Sequence, residues 1–181
     1  IMKNIFLTGE IRVGKSTIIK KFLENYPSLS IGGFRTVWSA ERSGRESSLH
    51  IVPASKDVPL DEGNMIKRLW MEDGKRKAAD YTAVYESAGR ALLEDAGEYD
   101  IILMDETGPG ENDARLFQRA VLEVLESGPP VIGVVQAKPG VLTDIIREHP
   151  MVKIITVTEE NRGSVLEDLL KLKGWLPDEK V

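Results

Sequence analysis

Nine residues, Gly9-Glu10-Ile11-Arg12-Val13-Gly14-Lys15-Ser16-Thr17, set two glycines, a lysine and a hydroxyl in the spacing G-x-x-x-x-G-K-[ST]. At average residue usage a chain of this length shows that pattern by accident about one time in a hundred, so it is read as chemistry rather than as a bare turn. The chemistry is anion capture. Such a loop points successive backbone N–H groups inward as a nest for phosphate oxygens, and the helix behind it adds the positive end of its dipole. Gly9 and Gly14 allow backbone shapes and a close approach that a Cβ would obstruct. The stretch Gly9 to Thr17 is therefore the candidate nucleotide-binding surface. Lys15 is expected to reach the β- and γ-phosphates as a point charge. The Ser16 hydroxyl is expected to ligate Mg²⁺, with Thr17 in a supporting contact. Arg12 stands where many such loops carry glycine. Either the residue is strained there, or its guanidinium points to solvent, the preferred expectation for a surface arginine, or it helps to neutralise phosphate.

The second constellation is Ile101-Ile102-Leu103-Met104-Asp105-Glu106, an apolar run closed by two acids. On a central strand the apolar part is core, and the acids emerge at its carboxyl end beside the phosphate loop. Asp105 would orient the Mg²⁺ shell. Glu106, one residue further, is placed to accept a proton from an attacking water, so Glu106 and Lys15 are the candidate catalytic residues. The same letters, Asp105-Glu106-Thr107-Gly108, also fit the D-x-x-G switch of small GTPases. The Asn-Lys-x-Asp string expected for guanine recognition is absent, which favours glutamate as base. Gln136 ends the run Val131 to Val135 and is either a γ-phosphate sensor or the first residue of a loop. Arg162, in Thr158-Glu159-Glu160-Asn161-Arg162, is a candidate for the base or ribose, with Asn161 as a helix cap.

These groups need a scaffold. The runs Asn4–Thr8, Asp100–Met104, Val131–Gln136 and Val152–Thr156 are short and continuously apolar, as strands buried on both faces of a parallel sheet are. Ser30–Trp38 and Ser48–Pro53 flank the polar stretch Ala40 to Glu46 and read as a hairpin, an insertion at about residues 30–54. Helical patterns cover Ser16–Asn25, Tyr81–Ala96, Asp113–Glu126 with Asp113 as N-cap, Val141–Glu148 and Arg162–Lys173. A short helical pattern is also expected around Met65, Ile66, Leu69 and Trp70, followed by a loop through Glu72 to Lys77. Alternating strands and helices predict an α/β fold of three layers: a mostly parallel sheet with helices on both faces.

Bulk properties narrow the function classes. The 181 residues suit a single domain, spanning 1–181. A net charge of −5 argues against nucleic acid as the main partner. With no cysteine, thiol nucleophiles and zinc–cysteine sites are excluded. No apolar run reaches the ~18 residues of a membrane span, and the sequence enters a strand at once with no signal peptide, so a cytoplasmic location is expected.

Together these pieces resemble the small P-loop nucleoside-triphosphatase family. The resemblance rests on Thr8 to Thr17, Gly32-Gly33-Phe34-Arg35-Thr36, Asp105-Glu106-Thr107-Gly108, the helix Phe117 to Leu125, and Val157 to Arg162. It implies a P-loop NTPase fold and slow Mg²⁺-dependent hydrolysis of several nucleoside triphosphates, ATP and GTP among them. The chain departs from the family at Ile11-Arg12, where Pro-Gly is usual, after the acids at Pro109-Gly110-Glu111-Asn112, and at Gln136, where histidine is common. The alternatives are a nucleotide or small-molecule kinase, with Lys75-Arg76-Lys77 as its lid, and a nucleotide-controlled accessory protein with slow hydrolysis and a protein partner that the sequence does not name.

Overall fold

The computed structural model describes residues 3–40, 44–172 and 174–177. Its centre is one sheet of eight strands: β1 (Asn4–Thr8), β2 (Ile31–Trp38), β3 (Glu46–Pro53), β4 (Met65–Glu72), β5 (Lys75–Asp80), β6 (Ile101–Thr107), β7 (Val131–Val135) and β8 (Val152–Thr156). They lie in the order β5-β4-β3-β2-β6-β7-β1-β8. From β2 to β8 every neighbouring pair is parallel, while β2–β3, β3–β4 and β4–β5 are antiparallel.

Period-two alternation along the parallel strands divides the apolar residues between two cores. Phe6, Ile102, Met104, Val131 and Val135 face one side, with Phe117 and Val121 of helix α3 (Arg115–Ser127) and Leu142 and Ile146 of α4 (Val141–Glu148). Ile5, Leu7, Ile101, Leu103, Ile132 and Val134 face the other. There they meet Ile18, Ile19 and Phe22 of α1 (Lys15–Glu24) and Val165 and Leu169 of α5 (Arg162–Leu170). The result is the predicted three-layer α/β fold.

A close backbone approach fixes how β2 lies on β6. Gly33 has φ 91°, and a Cβ there would sit 2.1 Å from the Leu103 carbonyl oxygen. Glycine is what lets these strands close, and closing them places Arg35 opposite Asp105.

Three local expectations are corrected. Residues 65–77 form a hairpin, not a helical pattern and loop: β4 and β5 are joined at Asp73 (φ 50°) and Gly74 (φ 71°). An Asp-Gly pair with positive φ at both residues turns two strands back on each other with the correct twist, and that outweighs the helix-like spacing of the apolar residues. The helical pattern at Tyr81–Ala96 is broken: α2 (Thr82–Val84) passes into a π-helical turn at Tyr85–Gly89, and a 3₁₀ turn follows at Ala96–Glu98. Gly89 has Phe117 against it, 3.1 Å from where a Cβ would lie. Asp113 does not cap α3. The amides of Leu116 and Phe117 donate instead to the Glu86 carboxylate at 3.1 and 3.2 Å, a cap supplied from thirty residues upstream. Of the polar turn expected at Ala40–Glu46, Glu41 to Ser43 lie outside the described residues, as does Lys173 at the expected end of the last helix.

Candidate active site

At the end of β1 the chain turns through Gly9 (φ 138°) and reaches α1 through Gly14 (φ 107°). A Cβ on Gly9 would stand 2.3 Å from the Val157 carbonyl oxygen, so only glycine lets the loop rest on the residue after β8. Lys15 opens α1 and is 8% exposed. Its Nζ donates to the carbonyl oxygens of Gly9 at 2.8 Å and Glu10 at 2.6 Å, folding the ammonium over its own loop. Burial pushes the amine below its usual value, against the opposing pull of the Glu106 and Asp105 carboxylates.

Ser16 Oγ donates to Asp105 Oδ1 at 3.0 Å, joining α1 to the end of β6. Neighbouring residues on a regular strand face opposite sides. Here the β6–β7 register slips: Asp105 pairs with Val134 and Thr107 with Val135, so Glu106 is the extra residue of a bulge. Both acids consequently line one cavity of about 890 Å³ with the loop. Burial, reinforced by the Glu106 charge, raises the Asp105 carboxyl to about 6, although the Ser16 hydroxyl, Lys15 and Arg35 favour its ionised form. Glu106 Oε1 accepts a hydrogen bond from Gln136 Nε2 at 2.7 Å.

The structure therefore gathers Gly9, Glu10, Ile11, Arg12, Gly14, Lys15, Ser16, Thr17, Asp105, Glu106 and Gln136 around a single space. Val13 is 6% exposed and packs into the core beneath the loop. Arg162 begins α5 on the surface and is not among the residues lining the cavity, and Asn161 closes the preceding turn by accepting from the Thr158 amide at 2.7 Å. The Lys75-Arg76-Lys77 triplet lies exposed on β5, at the sheet's edge and away from the cavity. Thr36, Trp38, Ala40, Ala137 and Lys138 complete the lining, and nothing in their sequence setting marked them for it.

Arg12 is exposed at φ 63°, a left-handed backbone that costs a residue with a Cβ about 1–2 kcal/mol. Arg12→Gly removes that cost and adds about 0.5–1 kcal/mol of chain entropy to the unfolded state. Denaturant unfolding should show a gain of up to ~1 kcal/mol, and titration should show triphosphate affinity within about tenfold of the parent. A larger affinity loss would place the guanidinium on phosphate.

Sequence reasoning missed Glu111, which sits in a polar stretch that reads as surface. It is 2% exposed, and its two carboxyl oxygens accept from the Gly108 amide at 2.9 and 3.1 Å. Gly108 in turn abuts Gln136, whose Cδ would lie 2.7 Å from a Cβ there. Glu111 thus anchors the segment that backs Gln136 beneath Glu106. Burial raises its carboxyl to about 8, against the Gly108 amide, which favours the ionised form. Between about 4.5 and 8 the folded chain holds a proton that the unfolded chain releases, so stability falls as pH rises through that window and levels off above it. Asp105 contributes in the same sense below about 6. Melts from pH 6 to 8 should show a decline approaching ~1.4 kcal/mol per pH unit, and Glu111→Gln should flatten it. An unchanged slope in that variant would assign the effect elsewhere.

The oxygen-only pair of Ser16 and Asp105 fits Mg²⁺, a hard cation that takes few protein ligands and completes its shell with phosphate and water. Among the described residues no group of three or more His, Cys, Asp and Glu side chains could hold a metal without such help.

The family model described as NTPase matches residues 4–170. The chain belongs to the NTPase family. It is 30% identical to the cancer-related nucleoside-triphosphatase homolog of Bos taurus, over 93% of this chain and 95% of that one. It is equally 30% identical to nucleoside-triphosphatase THEP1 of Thermotoga maritima, over 97% and 98%. The solution structure of a human cancer-related nucleoside triphosphatase superposes with a TM-score of 0.66 at 28% identity, covering 93% of this chain and 95% of that one. THEP1 from Aquifex aeolicus gives a TM-score of 0.73 at 24% identity, over 94% and 99%, a likeness of fold. As an NTPase the protein is a hydrolase, and its P-loop fold carries the motifs that first suggested one. No helix among the described residues is long and apolar enough to cross a membrane.

Proposed function

We propose that this NTPase binds a nucleoside triphosphate with Mg²⁺ in the cavity behind the loop Gly9 to Ser16 and hydrolyses the β–γ anhydride bond. The observation that carries the reading is the meeting of Lys15, Ser16, Asp105 and Glu106 in one cavity, although two of them come from the start of the chain and two from its middle. Loop amides and Lys15 neutralise the phosphate oxygens, and Lys15 exchanges its two carbonyl partners for them. Ser16 and Asp105 would hold Mg²⁺, which when bound would neutralise phosphate charge. Glu106 accepts a proton from water as the water oxygen attacks the γ-phosphorus. The bond to the bridging oxygen breaks, and the diphosphate leaves with its electron pair. Gln136 holds Glu106 in place through the 2.7 Å hydrogen bond. Catalysis of this kind is mostly positioning and electrostatics. A cytoplasmic setting goes with the same reading.

Steady-state phosphate release from ATP, GTP, CTP and UTP, with Mg²⁺ and again with EDTA, tests the proposal. Release is expected with at least one triphosphate and should cease on chelation. No release from any of the four would reject hydrolysis, and release that survives EDTA would reject the metal.

A further inference from the structure

A second cavity, of about 620 Å³, lies between α1, β2, the end of β6 and the segment after β3. Ser16 and Asp105 line it as well as the first, so the two spaces meet at the pair that would hold the metal. Its volume is that of a small-ligand site, and Ile19, Leu23, Ile31 and Leu103 give it apolar walls. Its polar groups have an order. Arg35 is set beside Asp105 by the β2–β6 register, at the end shared with the phosphate loop. Glu24 lies eight residues along α1 from Ser16, about 12 Å away at the helical rise.

Arg35 Nη2 donates to Asp57 Oδ1 at 2.5 Å, and the Asp57 side chain is 98% exposed against 31% for Arg35. An exposed carboxylate is a weak and replaceable partner. A planar guanidinium is suited to two-point binding of a phosphate, and Lys56, next to Asp57 in the same lining, adds a second cation. We infer that this cavity is a second ligand site for a phosphomonoester with an apolar body, in chemical class a nucleoside monophosphate, whose phosphate takes the place of Asp57 on Arg35. The base lies against the apolar walls, and the sugar hydroxyls donate toward Glu24. Such a ligand binds together with the triphosphate, its phosphate facing the metal end of the other cavity.

The test is calorimetric titration of AMP, GMP, CMP, UMP and inorganic phosphate into the full chain, alone and saturated with Mg²⁺ and β,γ-imido-ATP. At least one monophosphate should bind one-to-one in both conditions, at least about tenfold more tightly than inorganic phosphate, because only the monophosphates fill the apolar walls. Arg35→Gln should weaken that binding about tenfold or more. Asp57→Asn should strengthen it by about two- to fivefold, since it removes the carboxylate that competes for Arg35. A merely structural role for the pair would not produce that gain, and the exposure of Asp57 keeps the variant foldable even where Arg35→Gln is not. Asp57→Asn should keep its affinity for β,γ-imido-ATP. The inference is overturned if no monophosphate binds, if β,γ-imido-ATP displaces it, if inorganic phosphate binds as well, or if Asp57→Asn brings no gain. Failure of β,γ-imido-ATP itself to bind would count against the hydrolase reading, and the titration of the free chain would still decide the second site.

Discussion

Glu106→Gln should keep nucleotide affinity and lose about 10²–10⁴-fold in hydrolysis, the usual contribution of a positioned general base. The substitution preserves shape. The new amide can still offer an oxygen to Gln136 Nε2, which lies 2.7 Å from Glu106 Oε1, so the cavity and the phosphate loop are undisturbed. Basicity alone is lost. An interaction made only in the transition state lowers kcat and leaves ground-state binding nearly intact, which here amounts to ~3–5 kcal/mol of barrier. Single-turnover phosphate release measured beside the binding constant separates the two. A trapped, tightly bound triphosphate complex is the expected result. Hydrolysis at the parent rate would remove glutamate as the base and return the lead to the D-x-x-G reading of the same residues.

What could be read from the sequence depended on how local the cause was. The phosphate loop and β1 were legible to the residue, because glycine, lysine and hydroxyl at fixed spacing act through their own backbone, and because a strand buried on both faces is apolar throughout. Asp105 and Glu106 were legible as a pair. The bulge that lets two adjacent side chains share one cavity was not, since it is a property of β6 paired with β7. The β4–β5 hairpin carried its signal in Asp73-Gly74, but the spacing of Met65, Ile66, Leu69 and Trp70 serves a helix equally well, and only the edge of an existing sheet decides between them. Glu111 was invisible for a different reason. A glutamate between glycine and asparagine is buried only because the chain around it folds over, and nothing in its neighbours announces that. The cap on α3 from Glu86 and the second cavity with Arg35 likewise exist only through long-range packing.

Lys15→Ala should weaken triphosphate binding by more than about a hundredfold and leave the fold in place. Lys15 Nζ already makes two short hydrogen bonds, to the carbonyl oxygens of Gly9 and Glu10. Phosphate oxygens would replace those neutral acceptors with charged ones, and hydrogen bonds between charged partners are worth ~1.5–3 kcal/mol each. Losing two of them amounts to ~3–6 kcal/mol, and each 1.4 kcal/mol is about a factor of ten in affinity. The effect on folding is smaller and has two opposed parts. The ammonium is partly withdrawn from water, a cost its removal relieves, while the Gly9 and Glu10 carbonyls lose a donor that water in the open cavity can replace. Thermal melts should therefore move by a few degrees at most while titration with β,γ-imido-ATP shows little heat. Unchanged affinity would mean that the loop amides alone carry the phosphate and that the lysine has no part in binding. A collapse of the melting temperature would mean instead that Lys15 serves chiefly to tie its own loop together.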